Sequence, residues 1–311
     1  MSLFIPLIVA ILALVIIMKS ASYAITSISN YAKKTGISEY LIGFLVVSIG
    51  TSLPEICTAV FSSLANNGAI SLGDAIGANV IDVTVVMGLT AIFGRKIFVK
   101  DKIGRTFYVI LALVTLPLLL GLDGKLSRYD GVILLLAFCI YILSLIKKEK
   151  TFGKVKAEIR LKDIWKDIFV FGGTLAALLL AARWFVLSAA TMAYMLEIPN
   201  FLMGIIFVAV ATTIPELTVE IKSILRRHSG IAFGDIMGSV AANISLVVGI
   251  ASVINPIYFA RTRFMISSIF MILVVLISLL FLRRRRINWK HGIFIVSLYI
   301  LFIIIQALIE V

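Results

Sequence analysis

Charged residues are scarce in this chain, and long polar segments are scarcer still. Only 14% of its 311 residues are Asp, Glu, Lys or Arg, while 61% are hydrophobic. Water-soluble domains carry roughly 25% charged and 45–50% apolar residues, so this composition excludes an ordinary soluble domain. Since no long polar block interrupts the chain, an additional soluble domain is not expected either.

Cysteine and histidine are almost absent, with two residues of each. Cys57 and Cys139 both fall inside apolar runs, so they do not form the framework of a disulfide-stabilised fold. His228 and His291 fall in or next to predicted cytoplasmic loops, which argues against a buried histidine proton relay.

Acidic residues are outnumbered by basic ones, 16 against 29, which gives a formal net charge of +13. In a soluble protein such an excess would suggest a nucleic-acid partner. Here most basic residues lie in connections between apolar runs, where they are expected to face the cytoplasm. We therefore expect the lipid bilayer, and no nucleic acid, as the surroundings of the chain.

The chain does contain a series of apolar runs, each about 17–25 residues long and thus able to cross a bilayer. The first run, 2–18, lacks a basic start and a cleavage site, so we expect a retained helix rather than a signal peptide. A polar linker at 151–164 separates residues 1–150 from 165–311, with five predicted helices on each side. The predicted helices are 2–24, 38–65, 70–93, 105–122, 129–147, 165–190, 200–226, 231–255, 264–282 and 289–308.

The distribution of basic residues predicts the orientation of these helices. Loops after the odd-numbered helices hold most of the lysines and arginines, whereas the other loops hold only Lys125, Arg128, Arg261 and Arg263. By the positive-inside rule the basic loops and the linker are cytoplasmic, and both termini are extracellular. Because each half has an odd number of helices, the halves must cross the membrane in opposite directions.

An internal repeat relates the two halves at a constant separation of 161 residues. Residues 43–60 (GFLVVSIGTSLPEICTAV) align with 204–221 (GIIFVAVATTIPELTVEI), and 71–88 align with 232–249 without a gap. We therefore predict an all-α integral membrane protein of ten transmembrane helices in two inverted five-helix repeats, the architecture of secondary transporters. The repeated motifs, 43–88 and 204–249, share Gly43/Gly204, Thr51/Thr212, Pro54/Pro215, Glu55/Glu216, Gly73/Gly234, Asp74/Asp235, Gly77/Gly238 and Gly88/Gly249.

The repeated Pro–Glu pair indicates a cation site. Pro54 removes one backbone N–H and displaces the carbonyl of Gly50, so the helix is expected to kink or unwind around Gly50–Thr51. Broken backbone in a membrane is tolerated only inside protein or beside a wet cavity, and an intramembrane carboxylate costs about 2.5–3.5 kcal/mol to insert. Two such segments facing each other supply the oxygens that Ca²⁺ prefers. The candidate ligands are Ser48, Thr51, Ser52 and Glu55 in the first repeat and Ala209, Thr212, Thr213 and Glu216 in the second.

The helices that follow carry a second polar face. Asp74 and Asp82 share one face, and the matching positions in the second repeat are Asp235 and Asn243, with Ser239 between them. We expect Asp82 and Asn243 at the depth of the two glutamates. Asp74 and Asp235 are expected nearer the outer and inner ends, either as mouth groups that attract cations or as hydrogen-bonded aspartates at a helix start.

Glu220 adds a carboxylate in one repeat only. It lies one turn past Glu216 on the same face, toward the predicted cytoplasmic side, and Ala59 stands at the matching position of the first repeat. Two interpretations stay open: Glu220 extends an inner ion pathway, or it is solvated near the end of its helix.

GTSLPE at 50–55 with GDAIGANVID at 73–82, repeated as ATTIPE at 211–216 with GDIMGSVAAN at 234–243, resembles the alpha-repeats of the cation/Ca²⁺ exchanger superfamily. The chain is most similar to the compact prokaryotic Na⁺/Ca²⁺ exchangers. The resemblance implies a cell-membrane antiporter that extrudes Ca²⁺ in exchange for Na⁺ by alternating access, as the first and sixth helices slide against the others. It also implies a monomer that is not an enzyme and holds no tightly bound cofactor.

The resemblance further implies a role for each residue at the site. Glu55 and Glu216 would be the central Ca²⁺ ligands, and each would also serve bound Na⁺. The other ligands would be carbonyls of Ser48 and Ala209, backbone and hydroxyl oxygens of Thr51 and Thr212, hydroxyls of Ser52 and Thr213, and the side chains of Asp82, Ser239 and Asn243.

The chain departs from the family pattern at several site positions. Asp82 and Asn243 are exchanged relative to the prokaryotic exchangers, and Ala78 stands where the family usually has a serine, which bears on the number of Na⁺ sites. Asp74 and Asp235 replace the usual asparagines and add two ionisable groups, so H⁺/Ca²⁺ exchange in the same fold is the alternative function.

Two other classes match the sequence less well. The Gly–Asp dipeptides at Asp74 and Asp235 suggest an intramembrane aspartyl protease, but Ser71 and Ala232 stand where such a site needs glycine. A passive channel would not need an inverted repeat around a cluster of carboxylates.

Overall fold

The computed structural model describes residues 4–35, 43–94, 96–98, 104–148, 161–194, 203–226, 228–284 and 286–309. Helix dominates these residues, as predicted, and the departures from an all-α fold within them are short strands of two or three residues. The α-helices are α1 Phe4–Thr35, α2 Ser48–Thr51, α3 Leu53–Leu64, α4 Gly68–Ile81, α5 Met87–Gly94, α6 Gly104–Leu120, α7 Arg128–Lys148, α8 Leu161–Tyr194, α9 Ala209–Thr212, α10 Ile214–Leu225, α11 Ser229–Ala241, α12 Val248–Ile254, α13 Arg261–Arg283 and α14 Trp289–Leu308. The π-helical segments are π1 Gly43–Val47, π2 Asp82–Val86, π3 Met203–Val208 and π4 Ala242–Val247, a 3₁₀ turn spans Gly121–Asp123, and the strands are β1 Lys96–Phe98, β2 Lys125–Leu126, β3 Ile257–Tyr258 and β4 Arg286–Asn288.

Six helical stretches in the described ranges are long and apolar enough to cross a membrane. They correspond to the third, fourth, fifth, eighth, ninth and tenth predicted helices. The chain is therefore a multi-pass membrane protein, while the full count of ten spans stays a prediction. The six stretches are Gly68–Gly94, Thr106–Asp123, Arg128–Leu145, Ser229–Ile254, Arg261–Arg283 and Trp289–Leu308.

The first and sixth predicted helices are both longer than expected. α1 continues to Thr35, although the prediction ended it at residue 24. No Gly or Pro interrupts this stretch, so the helix continues beyond its apolar part. α8 likewise begins at Leu161, inside the predicted linker at 151–164, whose residues 151–160 lie outside the described ranges.

The predicted helix breaks occur, but each is confined to one residue. Ser52 separates α2 from α3 with φ −79° and ψ 7°, and Thr213 separates α9 from α10 with φ −80° and ψ −2°. The break predicted around Gly50–Thr51 therefore occurs, but it lies at Ser52. Pro54 and Pro215 are the second residues of α3 and α10, where a helix needs no backbone N–H, so the chain resumes as helix at once.

The four π-helical segments are not predicted from the sequence. π1 and π3 precede the breaks, whereas π2 and π4 follow α4 and α11. π1 and π3 occupy matching positions in the two halves, as do π2 and π4. In π2 the Thr84 hydroxyl donates to the carbonyl of Val80, and in π4 the Ser245 hydroxyl donates to the carbonyl of Ala241. Hydroxyls that bond back to the i−4 carbonyl compete with the backbone ladder, which favours a π turn at both places.

Each half packs its broken helix against the backbone of the other half. Gly43 in π1 lies so close to α11 that a Cβ atom there would overlap the carbonyl of Ile231. Gly204 in π3 has the same relation to the carbonyl of Ile70 in α4. Small residues permit such close approach between membrane helices, so these glycines set the distance between the halves.

Two further glycine contacts extend the repeat to the fifth and tenth predicted helices. Gly88 at the start of α5 meets Gly292 of α14, and Gly249 of α12 meets Gly131 of α7. Gly131 and Gly292 are again 161 residues apart. The two contacts are therefore equivalent under the repeat, and both join one half to the other.

Two short antiparallel sheets also join the halves. β1 pairs with β4, which places Ile97 opposite Ile287, and β2 pairs with β3, which places Leu126 opposite Ile257. Paired strands must lie at the same end of the bundle, so the loops after the third and ninth predicted helices share one end. The loops after the fourth and eighth share the other, because α6 separates β1 from β2 along the chain.

α1 and α8 form a pair that packs along each other. Their small buried cluster contains Ala13 and Ala181, packed with Ile214 of α10, and is separate from the main hydrophobic core. Among the side chains that the structure describes, neither helix contributes a buried residue to that main core. The pair is therefore less interlocked with the bundle than the other long helices are.

Gly204→Ala should lower the stability of the folded protein, because the added methyl group meets a backbone carbonyl that cannot turn aside. We expect a loss of about 1–3 kcal/mol, the usual cost of overpacking, seen as a lower melting temperature of the detergent-purified protein. Gly173→Ala is the matched control, since nothing lies within 4 Å of a Cβ atom at that position of α8. Equal stability of the two variants would contradict this packing.

Candidate cation site

Matching hydrogen bonds tie the broken helix of each half to the other half. The Thr212 hydroxyl donates to Asp74 Oδ1 at 3.1 Å, and the Thr51 hydroxyl lies 3.4 Å from Asp235 Oδ1. Thr51 Oγ1 is also 3.1 Å from the carbonyl of Val47 and 3.2 Å from that of Ser48, so its single proton has three acceptors. All four side chains of the two Thr–Asp pairs are at most 2% exposed. The two threonines predicted as ligands are thus held inside the protein, each beside an aspartate of the opposite half.

The hydrogen bonding predicted for the two aspartates is present, but the positions predicted for them, at a helix start or at an open mouth, are wrong. Asp74 is the seventh residue of α4 and Asp235 the seventh of α11, so neither stands at a helix start. Both are fully buried, so neither lines an open mouth. The sequence held one signal of the actual arrangement, since a Thr and an Asp recur together in both repeats.

Glu55 and Glu216 are the third residues of α3 and α10, and both are buried. A carboxylate is favoured in the first turn of a helix, where the helix dipole is positive. The carboxylate oxygens have no partner with hydrogen-bond geometry among the described residues, although the Thr212 hydroxyl lies close to Glu55. The charges of the two glutamates interact with each other, so the structure brings both predicted central ligands into one region.

Asp82 and Asn243 lie at the starts of π2 and π4. Both are buried, and their side-chain oxygens and nitrogen have no hydrogen-bond partner in the described part of the chain. The charge of Asp82 interacts with those of Glu55 and Glu216, and also with those of Asp74 and Asp235. Ser239, one turn before Asn243, is also buried with an unpartnered hydroxyl.

The remaining predicted ligands take part in helical hydrogen bonds in this conformation. The carbonyl of Ser48 accepts from the backbone N–H of Ser52 at 2.9 Å. The carbonyl of Ala209 accepts from the N–H of Thr213 at 3.1 Å and from its hydroxyl at 2.7 Å. The Ser48 hydroxyl donates to the carbonyl of Phe44, whereas the Ser52 hydroxyl is buried without a partner among the described residues. An ion bound to these two carbonyls would share them with the helix.

Glu220 is fully buried, and its carboxylate oxygens have no partner among the described residues. The interpretation of Glu220 as a solvated side chain near a helix end is therefore wrong. α10 packs here against α11, and the charges of Glu220 and Asp235 interact. The sequence left this position open because its burial depends on a neighbouring helix.

The bundle therefore contains several carboxylate side chains that are at most 1% exposed, while no Lys or Arg side chain is buried in the described ranges. An uncompensated carboxylate in an apolar interior is very costly, so these groups need cations or protons from solution. In the same ranges, no three acidic, His or Cys side chains converge into a ready-made metal centre. The oxygens are thus spread along several helices, which suits ions that enter and leave. The carboxylates are those of Glu55, Asp74, Asp82, Glu216, Glu220 and Asp235.

Comparison with known proteins agrees with the geometry. The family described as sodium/calcium exchanger protein matches residues 5–147 and 166–308, one match in each half. The sodium/calcium exchanger MaX1 of Methanosarcina acetivorans is 26% identical over 96% of this chain and 97% of its own length. The inner membrane protein YrbG of Escherichia coli is 28% identical over 79% of each chain.

Solved structures share the fold. The sodium-calcium exchanger NCX_Mj, soaked with 2.5 mM Na⁺ and 10 mM Sr²⁺, aligns with a TM-score of 0.82 and 27% identity over 97% of this chain and 99% of that chain. The predicted likeness to prokaryotic cation/Ca²⁺ exchangers is confirmed at the level of the family. Because the family match covers nearly all of both halves, this protein belongs to the sodium/calcium exchanger family.

Proposed function

We propose that this protein is a secondary active antiporter that extrudes Ca²⁺ from the cell in exchange for Na⁺. The observation that carries the proposal is the pair of contacts, Thr212 with Asp74 and Thr51 with Asp235, that gathers both Pro–Glu segments around one buried region. Membership of the family supports it, and the printed names of MaX1 and NCX_Mj describe sodium/calcium exchange by those proteins.

Glu55 and Glu216 act as the central ligands of Ca²⁺ and also serve Na⁺. A cation between their buried carboxylates offsets the cost of placing charge in an apolar interior. A threonine hydroxyl that donates its proton to an aspartate keeps its oxygen lone pairs for an ion, which suits Thr51 and Thr212 as ligands. Further oxygens come from Ser48, Ser52, Asp82, Ala209, Thr213, Ser239 and Asn243.

Competition of Ca²⁺ and Na⁺ for the same carboxylates couples their movements. Without an ion, a conformational change would move uncompensated charges through an apolar bundle, which is strongly disfavoured. With either ion bound, the charge is matched and the change becomes accessible. Each half of the transport cycle therefore requires one of the two ions.

The chain crosses the membrane ten times in this proposal, as two inverted repeats with both termini outside. Most basic residues then lie in cytoplasmic loops, as the positive-inside rule requires. Pairing of β1 with β4 and of β2 with β3 supports this topology, because it groups loops that share a predicted side.

Alternating access arises as α1 and α8 slide along the remaining helices. Their packing on each other, apart from the main core, supports this division into a moving pair and a fixed bundle. One copy of the chain holds both halves of the site, so the monomer suffices and no resident cofactor is needed. An aspartyl protease is not favoured, because Asp74 and Asp235 each face a threonine of the opposite half.

Glu55→Gln and Glu216→Gln should each abolish Na⁺-driven ⁴⁵Ca²⁺ uptake into proteoliposomes, because the amide keeps the shape of the side chain but removes its charge. We expect initial rates at least about 100-fold lower, since a contact with a charged group contributes about 1.5–3 kcal/mol and leaves a buried partner behind. Asp123→Asn, in an exposed turn, is the control and should transport like the wild type. Uptake retained by either glutamine variant would refute the ligand assignment.

A Na⁺ gradient imposed on wild-type proteoliposomes should drive ⁴⁵Ca²⁺ uptake, and a pH gradient imposed without Na⁺ should not. The reason is that hydroxyl and carbonyl oxygens surround the carboxylates, and a metal ion uses such ligands whereas a proton does not. Vesicles with equal Na⁺ and equal pH on both sides give the background. Uptake driven by the pH gradient alone would instead support H⁺/Ca²⁺ exchange in the same fold.

Thr212→Val should weaken Ca²⁺ binding, whereas Thr212→Ser should preserve it. Valine keeps the shape of the side chain but removes the oxygen and deprives Asp74 Oδ1 of its donor. The half-saturating Ca²⁺ concentration for uptake should rise about tenfold, as expected for one lost contact to a charged group. Equal half-saturation of the valine and serine variants would show that this hydroxyl is not a ligand.

A further inference from the structure

α10 carries more buried polar side chains than the exchange site proposed above uses. Beyond Glu216, the same face of the helix presents Glu220 and Ser223, and both are fully buried. The two carboxylate oxygens of Glu220 and the Ser223 hydroxyl have no hydrogen-bond partner among the described residues. This face therefore holds oxygens that nothing in the described bundle satisfies.

Asp235 adds an oxygen from the neighbouring helix. α10 packs against α11, and the charges of Glu220 and Asp235 interact. One carboxylate oxygen of Asp235 lies by the Thr51 hydroxyl, while the other, Oδ2, has no partner among the described residues. The charge of Glu220 also interacts with that of Asp82 in the exchange site. The group formed by Glu220, Ser223 and Asp235 thus adjoins the exchange site through Asp235 and Asp82, and the central glutamates are not among its members.

The first half has no equivalent group. The positions that match Glu220 and Ser223 are Ala59 and Ser62. Ala59 is buried and has no polar side-chain atom, and the half-buried Ser62 hydroxyl donates to the carbonyl of Ala59 at 3.5 Å. The feature therefore belongs to one half only, on the side that the basic loops mark as cytoplasmic.

The chemistry of this group favours a small monovalent cation. Two buried carboxylates need a positive charge, and no Lys or Arg side chain is buried in the described ranges. Lys222, two residues beyond Glu220, is half-buried, and helical spacing assigns it to a different face of α10. Two carboxylates and one hydroxyl supply fewer oxygens than the roughly six to eight that Ca²⁺ prefers. Na⁺ has a lower demand for ligands and is the better match, because the Thr51 hydroxyl already supplies part of the stabilisation that Asp235 needs.

We propose that Glu220, Ser223 and Asp235 bind a Na⁺ ion on the cytoplasmic side of the exchange site, at a position that the first half lacks. This inference rests on the proposed Na⁺/Ca²⁺ exchange and adds to it a difference in Na⁺ binding between the two sides of the membrane. Na⁺ that enters from the cytoplasmic side meets this group before the central site, whereas Na⁺ from the outer side meets no counterpart. Glu220 therefore affects the Na⁺ dependence of exchange from one side of the membrane only.

The test uses Glu220→Gln and Glu220→Ala in proteoliposomes with the protein in one orientation, and the alanine variant reproduces the residue of the first half. The half-saturating Na⁺ concentration for ⁴⁵Ca²⁺ flux is measured from each side. We expect it to rise at least about tenfold on the cytoplasmic side, the effect of losing one charged contact, and to stay unchanged on the outer side. Ca²⁺/Ca²⁺ exchange without Na⁺ should persist, because Glu55 and Glu216 are intact.

Ser223→Ala provides a second variant that leaves the carboxylates in place. It should shift the cytoplasmic Na⁺ dependence in the same direction, while its mirror control Ser62→Ala should not. Unchanged Na⁺ dependence in the Glu220 variants would overturn the proposal. So would an equal shift on both sides, or a loss of Ca²⁺/Ca²⁺ exchange in protein that melts like the wild type, since each would assign Glu220 to the central site.

Failure of the exchange function itself would be recognised separately, because the wild-type protein would then show no Na⁺-driven flux. In that case ²²Na⁺ binding to the detergent-purified protein tests the group directly. Glu220→Gln should bind one Na⁺ ion fewer than the wild type, and equal binding would overturn the proposal.

Discussion

Negative charge buried without basic side chains is the constraint on which the rest of this structure depends. Six carboxylates at 1% exposure or less lie inside the described helix bundle, and each must be stabilised by hydrogen-bond donors, a proton or a cation. Donors from side chains are found for Asp74 and Asp235, whose partners are the threonines of the opposite half. The carboxylate oxygens of the glutamates and of Asp82 have none among the described residues. These groups therefore need protons or cations from solution.

The irregular backbone follows from this need. A regular helix satisfies its own carbonyls and directs its side chains outward at a fixed spacing, so it offers little to an ion. The regular helix is interrupted just before Pro54 and Pro215. Each proline is followed directly by a glutamate in the first turn of a new helix. π2 and π4 likewise interrupt the regular helix near Asp82 and Asn243. The distortions lie where the ligands are needed and occur in corresponding places in both halves.

The sequence predicted those parts of the site whose signal is local or repeated. Pro54 beside Glu55 in an apolar run is unusual by itself, and its recurrence at a constant separation predicts one half of the proposed site in each repeat. The partner of Asp74 could not be read in this way, because Thr212 lies 138 residues away in the chain. The end of α1 was misplaced because the apolar pattern stops before the helix does.

The π-helical segments and the burial of Glu220 were missed for a related reason. A single hydroxyl such as that of Thr84 competes only weakly with the backbone ladder, and many serines and threonines in helices bond back without changing the helix type. Glu220 is buried because neighbouring helices pack against α10, and the sequence of α10 carries no sign of those neighbours. Both features depend on contacts or weak backbone effects that local sequence patterns do not reveal.

The glycine contacts between the halves bear on how the protein is made. α5 meets α14 through Gly88 and Gly292, and α7 meets α12 through Gly131 and Gly249, so each half finds its packing partners in the other. During synthesis the first half enters the bilayer while the helices that will cover it are still untranslated. Its carboxylates, and the glycines that will contact the second half, must then remain exposed to lipid until nearly the last helix leaves the ribosome. The two halves of this transporter therefore assemble late in synthesis and cooperatively. A chain cut at the central linker would lack one partner of every such contact.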